Sequence, residues 1–101
     1  RQINISIDYI TQIVCEYFEV DENKLREKNR KKEIVRARQI AMFLSKKLTQ
    51  SSLKTIGLHF GGRDHSTVIH AYNNVDQMLA DDSSTKDIVD TIRNKIELGV
   101  F

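Results

Sequence analysis

A chain of 101 residues with 40% hydrophobic and 30% charged side chains holds one small core, so a single domain over 1–101 is expected. No apolar run approaches the ~20 residues of a bilayer span, and one cysteine allows no internal disulfide. Membrane insertion and a disulfide-stapled secreted fold are thereby set aside, and a cytoplasmic location is expected.

The net charge of +2 names no partner, but its distribution does. Between Lys24 and Lys47, ten Lys and Arg stand against two Glu, whereas the segments before Lys24 and after Val75 are acidic. A phosphate backbone is the natural partner of so concentrated a basic segment. Strand signals are nearly absent, with no sustained β-branched alternation and no Asn-Gly or Asp-Gly turn. The expectation is an all-α fold, a compact bundle of about six helices. The chain opens on Arg1 rather than Met, which suggests a piece excised from a longer protein.

Ser6 is suited to cap a first helix over about 7–19, with Asp8 in its first turn and Ile7, Ile10, Ile13, Val14, Tyr17 and Phe18 at helical spacing. Cys15 falls in this apolar run and is expected to be buried and inert. Asp21 caps a short helix through Leu25. Residues 28–32, Lys-Asn-Arg-Lys-Lys, break the rhythm and read as an exposed basic loop, expected to order only on a partner. A third helix runs from about Glu33 to Leu48 with Ile34, Ala37, Ile40, Ala41, Leu44 and Leu48 on one stripe. Arg38, Gln39, Ser45 and Lys46 fall on another, polar face fit to lie along a phosphate strand.

Thr49-Gln50-Ser51-Ser52 is a turn with capping hydroxyls, leading to a short helix over Leu53–Phe60 whose Leu53, Ile56 and Phe60 face inward. Gly61 or Gly62 supplies the left-handed residue that ends it, and Asp64 caps the next helix over about 65–79. There Val68, Ala71, Tyr72, Val75, Met78 and Leu79 are expected inside, and Ser66, Thr67, His70 and Asn73 outside. Asp81-Asp82-Ser83-Ser84 is a polar break in which Ser84 with Asp87 resembles a capping box, and a last helix buries Ile88, Ile92 and Ile96.

The layout of helix, Gly-Gly turn and helix is that of a helix-turn-helix whose second helix presents a polar tip. Arg63 has the donors for guanine or phosphate, Asp64 accepts from a cytosine or adenine amino group, His65 offers a donor or a ring face, and the Thr67 methyl suits thymine. Asp64 also has the simpler role of helix cap, and His70, one turn on, reaches a phosphate or is a plain surface histidine. Metal or hydrolytic chemistry on His59, Asp64, His65 and His70 is disfavoured. His65 and His70 do not share a face as an i, i+4 pair does, and consecutive Asp64-His65-Ser66 do not make a triad. A helical adaptor using the acidic C-terminal helix is a third possibility, but no residue identifies its surface.

Gly61-Gly-Arg-Asp-His-Ser-Thr-Val-Ile-His70, with Arg36-Ala-Arg-Gln-Ile-Ala-Met42 upstream, resembles the C-terminal DNA-binding domain of the bacterial replication initiators of the DnaA family. The resemblance runs without a gap from about Ile7 to Met78. It implies a monomer on each nonameric DnaA box of double-stranded DNA at the replication origin, with other initiator copies engaged through the rest of the protein. The runner-up is a helix-turn-helix regulator of promoters. No cofactor is implied for this chain, which has no Gly-x-x-x-x-Gly-Lys loop, so ATP is expected only in an ATPase domain elsewhere. By the resemblance, Arg63, Asp64, His65, Ser66 and Thr67 meet the major groove, and Arg30 enters the minor groove. Arg38, Gln39, Lys46, Leu53, Thr67 and His70 meet phosphates, and Leu53 can do so only through its backbone N–H. The chain departs from the family pattern at Lys54 and Ala37, where proline is common, and at Ser66, where threonine is common. Lys54 implies a softer helix start and is counted among the phosphate contacts.

Overall fold

A computed structural model describes residues 5–99. These form six helices, α1 (Ile7–Phe18), α2 (Glu22–Arg26), α3 (Lys32–Leu48), α4 (Leu53–His59), α5 (His65–Asp81) and α6 (Ser83–Leu98), with no strand among the described residues. The helix starts follow local chemistry. The Ser6 hydroxyl accepts the Tyr9 N–H at 3.1 Å, and the Asp21 carboxylate accepts the Asn23 N–H at 2.8 Å. Ser52 starts α4, accepting from the Thr55 N–H and donating to its hydroxyl.

α3 is the central post, packed against α5 and α1 and more lightly against α2 and α4, while α6 closes the bundle over α1 and α5. Its buried residues therefore run past the single expected stripe, through Ile34, Ala37, Arg38 and every residue from Ile40 to Ser45. Phe43, also in that run, stacks on Tyr72 of α5 with ring centroids 4.9 Å apart. Of the four residues expected on an exposed polar face of α3, Arg38 and Ser45 are instead inside, while Gln39 is half buried and Lys46 exposed. Arg38 is only 7% exposed and Ser45 fully buried, its hydroxyl donating to the Ala41 carbonyl. A helix touched from several sides has little polar face left, so these polar groups are satisfied by backbone carbonyls rather than by solvent.

A second correction concerns the α5–α6 junction. Only Asp82 separates the helices, and it, not Ser84, is the cap. Its carboxylate accepts from the Ser84 N–H and from the Thr85 hydroxyl. Thr85, Val89, Ile92 and Ile96 make the buried stripe of α6, with Ile88 only half buried. Cys15 is buried, and burial, with Glu22 adding to it, pushes its thiol up to about 11, so no reactive thiolate forms near neutral pH.

His59 closes the seam of α1, α2 and α4. Its Nδ1 is 3.4 Å from Asp8, its Nε2 is 3.2 Å from the Thr11 hydroxyl, and Arg26 donates to its carbonyl. Burial pushes the imidazole below its ordinary value, outweighing the opposing pull of Asp8, whose side chain is 83% exposed and well solvated. The folded state thus holds this proton less tightly than the unfolded chain. The stability that follows is complete above the unfolded pKa of about 6.5 and is lost as pH falls below it towards the folded value. The thermal midpoint is expected to fall between about pH 7.5 and pH 5, and His59→Gln should flatten that dependence in a melting series.

Candidate nucleic-acid interface

The α4–turn–α5 unit is held by close backbone approach. The Arg63 N–H donates to the Gly57 carbonyl at 2.9 Å, and a Cβ on Gly57 would overlap the Arg63 carbonyl oxygen. Gly61, with φ +83°, lies so near the Arg26 carbonyl that a side chain there is also excluded, which seats the turn directly on the end of α2. Gly62 also has positive φ but faces open space.

This turn projects the tip of α5. Asp64 caps it, one carboxylate oxygen accepting both the backbone N–H and the hydroxyl of Thr67 at 3.0 Å. These bonds hold its pKa below the ordinary carboxylate value, so it is an anion at the positive end of α5. Asp64, His65, Ser66 and Thr67 are all exposed, as is His70 one turn further along. Lys54 and Leu58 of α4 join Gly62, Arg63, Asp64 and His65 around a cleft of about 360 Å³. Leu58, 63% exposed, is an apolar group that pattern reading had not singled out.

Arg63 behaves differently from the rest of the tip. Its guanidinium turns back to the start of the basic loop, donating to the carbonyls of Leu25, Glu27 and Phe60. Arg38 comes to the same place from α3, donating to the carbonyls of Lys24, Leu25, Glu27 and Asn29. Among the described residues neither guanidinium has a carboxylate partner; the C-terminal carbonyls of α2 take that part. Burial pushes both guanidinium groups below their ordinary values, and Arg63 pushes Arg38 further. The sequence pattern offers Arg63 to guanine or phosphate and Arg38 to an open phosphate-facing surface. Both donate to backbone carbonyls instead of standing open.

The root of the loop is held through the Glu27 and Asn29 carbonyls, which accept from these two guanidinium groups. The Asn29 side chain accepts the Lys31 N–H at 3.0 Å, while Lys28, Arg30 and Lys31 stay exposed. Lys28, Asn29, Arg30, Val35, Arg38 and Arg63 enclose a hollow of about 180 Å³ with four cations and no carboxylate on its wall.

The remaining candidates are more dispersed. Gln39 is half buried and accepts from Asn74 of α5 at 2.7 Å, which leaves its own NH₂ to donate elsewhere. No pattern pointed to Asn74, because the pair are 35 residues apart. Lys46 is exposed in the last turn of α3, Lys54 is exposed, and Leu53 is half buried at the first position of α4. Lys46 lines neither the cleft nor the hollow. His59 is tied to Asp8 and Thr11, so it joins neither His65 nor His70. Among the described residues no three His, Cys, Asp or Glu side chains are grouped as metal ligands, and no helix is long and apolar enough to cross a membrane.

Comparison with known proteins gives one consistent result. Residues 7–75 match the family described as the bacterial dnaA protein helix-turn-helix. The chromosomal replication initiator protein DnaA of Chlorobaculum tepidum is 50% identical over 94 residues, 93% of this chain and 19% of that protein. Its counterpart in Flavobacterium psychrophilum is 46% identical over 94 residues, 93% of this chain and 20% of that protein. That of Streptococcus mutans is 44% identical over 97 residues, 96% of this chain and 22% of that protein. The chain spans about a fifth of the length of the curated relatives it matches.

Proposed function

The chain belongs to the bacterial DnaA helix-turn-helix family, and from that premise we propose that it is a non-catalytic DNA-binding domain that reads DnaA-box nonamers of double-stranded DNA at the replication origin. The observation that carries this reading is the exposed polar tip of α5, set out by a glycine turn beside a carboxylate-free cationic hollow.

The division of labour follows from exposure. Asp64, His65, Ser66 and Thr67 offer acceptors, donors and a methyl to base edges in the major groove. Arg30, projecting from a fixed loop root, enters the adjacent minor groove. Lys46, Lys54, His70 and the outward NH₂ of Gln39 hold phosphates, with the Leu53 N–H adding a backbone donor at the start of α4. Arg38 adds positive charge behind the backbone path. ATP binding and contacts to other initiator copies belong to other parts of a longer protein, which works in the cytoplasm.

Selection from random duplexes tests the reading most directly, and recovery of a TTATNCACA-like nonamer is the expected result. Recovery of no preferred order at moderate salt would overturn it, and footprinting on genomic DNA separates origin sites from promoter sites. Phosphate and base roles separate by salt. Lys46→Ala should weaken box and scrambled duplexes alike and reduce the slope of log K against log salt by about 1. A changed box-to-scrambled ratio with an unchanged slope would remove Lys46 from the phosphate set.

A further inference from the structure

Two arginines that the sequence offers as DNA contacts are spent on the protein's own backbone. Arg63, from the turn before α5, and Arg38, from α3, both donate to the Leu25 and Glu27 carbonyls. Arg63 also donates to the carbonyl of Phe60, at the end of α4, so one side chain joins the helix-turn-helix to the basic loop. Gly61 packs against the Arg26 carbonyl in the same seam, where no side chain fits. Three backbone segments, the end of α2, the loop start and the turn, therefore meet at one pair of guanidinium groups. The planar fork of arginine suits this, since it serves several carbonyls at once where a lysine ammonium acts as a point charge.

We propose that Arg63, with Arg38 behind it, is a positioning residue for DNA recognition: it fixes the offset of the basic loop, and of Arg30 on it, from the tip of α5, so that the two grooves are read by one rigid unit. The inference builds on the DNA-reading function proposed above. It assigns Arg63 to aiming the loop rather than to guanine. The carbonyls it serves are those of Leu25, Glu27 and Phe60, and the loop side chains Lys28, Arg30 and Lys31 are left exposed to solvent. A rigid unit meets both grooves without the ordering cost that a free loop incurs on binding.

The test has one arm without DNA and two with it. Trypsin is added to the folded chain and to Arg63→Gln, and cutting after Lys28, Arg30 and Lys31 is followed. Cutting at the loop should quicken by about fivefold or more in the variant, with little change elsewhere. Unchanged loop cutting, or equal acceleration at all sites with a lowered Tm, overturns the proposal. Arg63→Lys should behave like Arg63→Gln, because one ammonium does not span three carbonyls; full protection in Arg63→Lys overturns the fork argument and with it the proposal.

In the DNA arms, box affinity is measured for Arg30→Ala, Arg63→Gln and the double variant. The double variant should lie within about twofold of Arg63→Gln alone, because a mis-aimed Arg30 has already lost its contact. Full multiplication of the two losses overturns the coupling. Box guanines are also replaced by 7-deazaguanine, which removes the major-groove N7 acceptor. Wild type and Arg63→Gln should lose affinity by the same factor, whereas insensitivity confined to Arg63→Gln would show Arg63 on guanine and overturn the proposal. Should wild type show no preference for the box at all, the box reading falls, while the trypsin arm still decides the loop geometry.

Discussion

Gly57→Ala is expected to unseat the helix-turn-helix and, with it, DNA binding. The new methyl would overlap the Arg63 carbonyl oxygen, and the obstacle is backbone rather than the flexible end of a side chain. Relief requires α4 to move away from the turn, which stretches the Arg63 N–H bond to the Gly57 carbonyl and disturbs the buried residues flanking it, Ile56, Phe60 and Val68. The expected cost is about 3 kcal/mol or more, at the upper end of overpacking. For a domain of this size that lowers Tm by about 12 °C or more. Gly62→Ala is the matched control: it carries positive φ but meets nothing within 4 Å, so it should cost only about 1 kcal/mol of left-handed strain. Thermal melts of the two variants decide the matter; a Gly57→Ala protein as stable as Gly62→Ala would mean that the seam yields freely.

Asp64→Asn is expected to weaken base discrimination while leaving the fold intact. Asn caps a helix about as well as Asp, so the bonds from Thr67 have a carbonyl oxygen to accept them. What changes is the face shown to the groove, where a carboxylate that accepts becomes an amide that also donates. Against a box whose base presents an amino hydrogen to Asp64, the box-to-scrambled ratio should fall by roughly 5- to 150-fold. Asp64→Ala should lose the cap as well, lowering the thermal midpoint. Titrations against box and scrambled duplexes, run beside melts, separate the two roles. Unchanged affinity for both duplexes in Asp64→Asn would leave Asp64 as a cap alone.

These predictions also show what is legible in such a chain. The helices and most of their caps follow from local chemistry: Ser6 and Asp64 each sit before an apolar 3.6-residue rhythm, Asp21 before a short polar turn ending at Leu25, and each accepts a first-turn N–H. The exposed tip is legible for the same reason, since a polar run at a helix start has no core to enter. What pattern reading misses is tertiary. Periodicity places Arg38 on a polar face of α3, but it has no means of showing that α2 and the loop fold over that face and offer carbonyls to it. Arg63 reads as a DNA ligand because its type and place fit one, and nothing local shows that its guanidinium also reaches a carbonyl 38 residues away. Asp82 displaces Ser84 as cap because α5 runs two residues past its expected end, which shrinks the break to one residue.

The anchoring of the basic loop through main-chain oxygens has an evolutionary corollary. The acceptors contributed by Lys24, Leu25, Glu27 and Asn29 exist whatever residue stands at those positions. Side chains at 28, 30 and 31 are thereby released from any scaffolding duty. A lineage can exchange them to suit a drifting recognition sequence while the two guanidinium groups preserve the loop's trajectory.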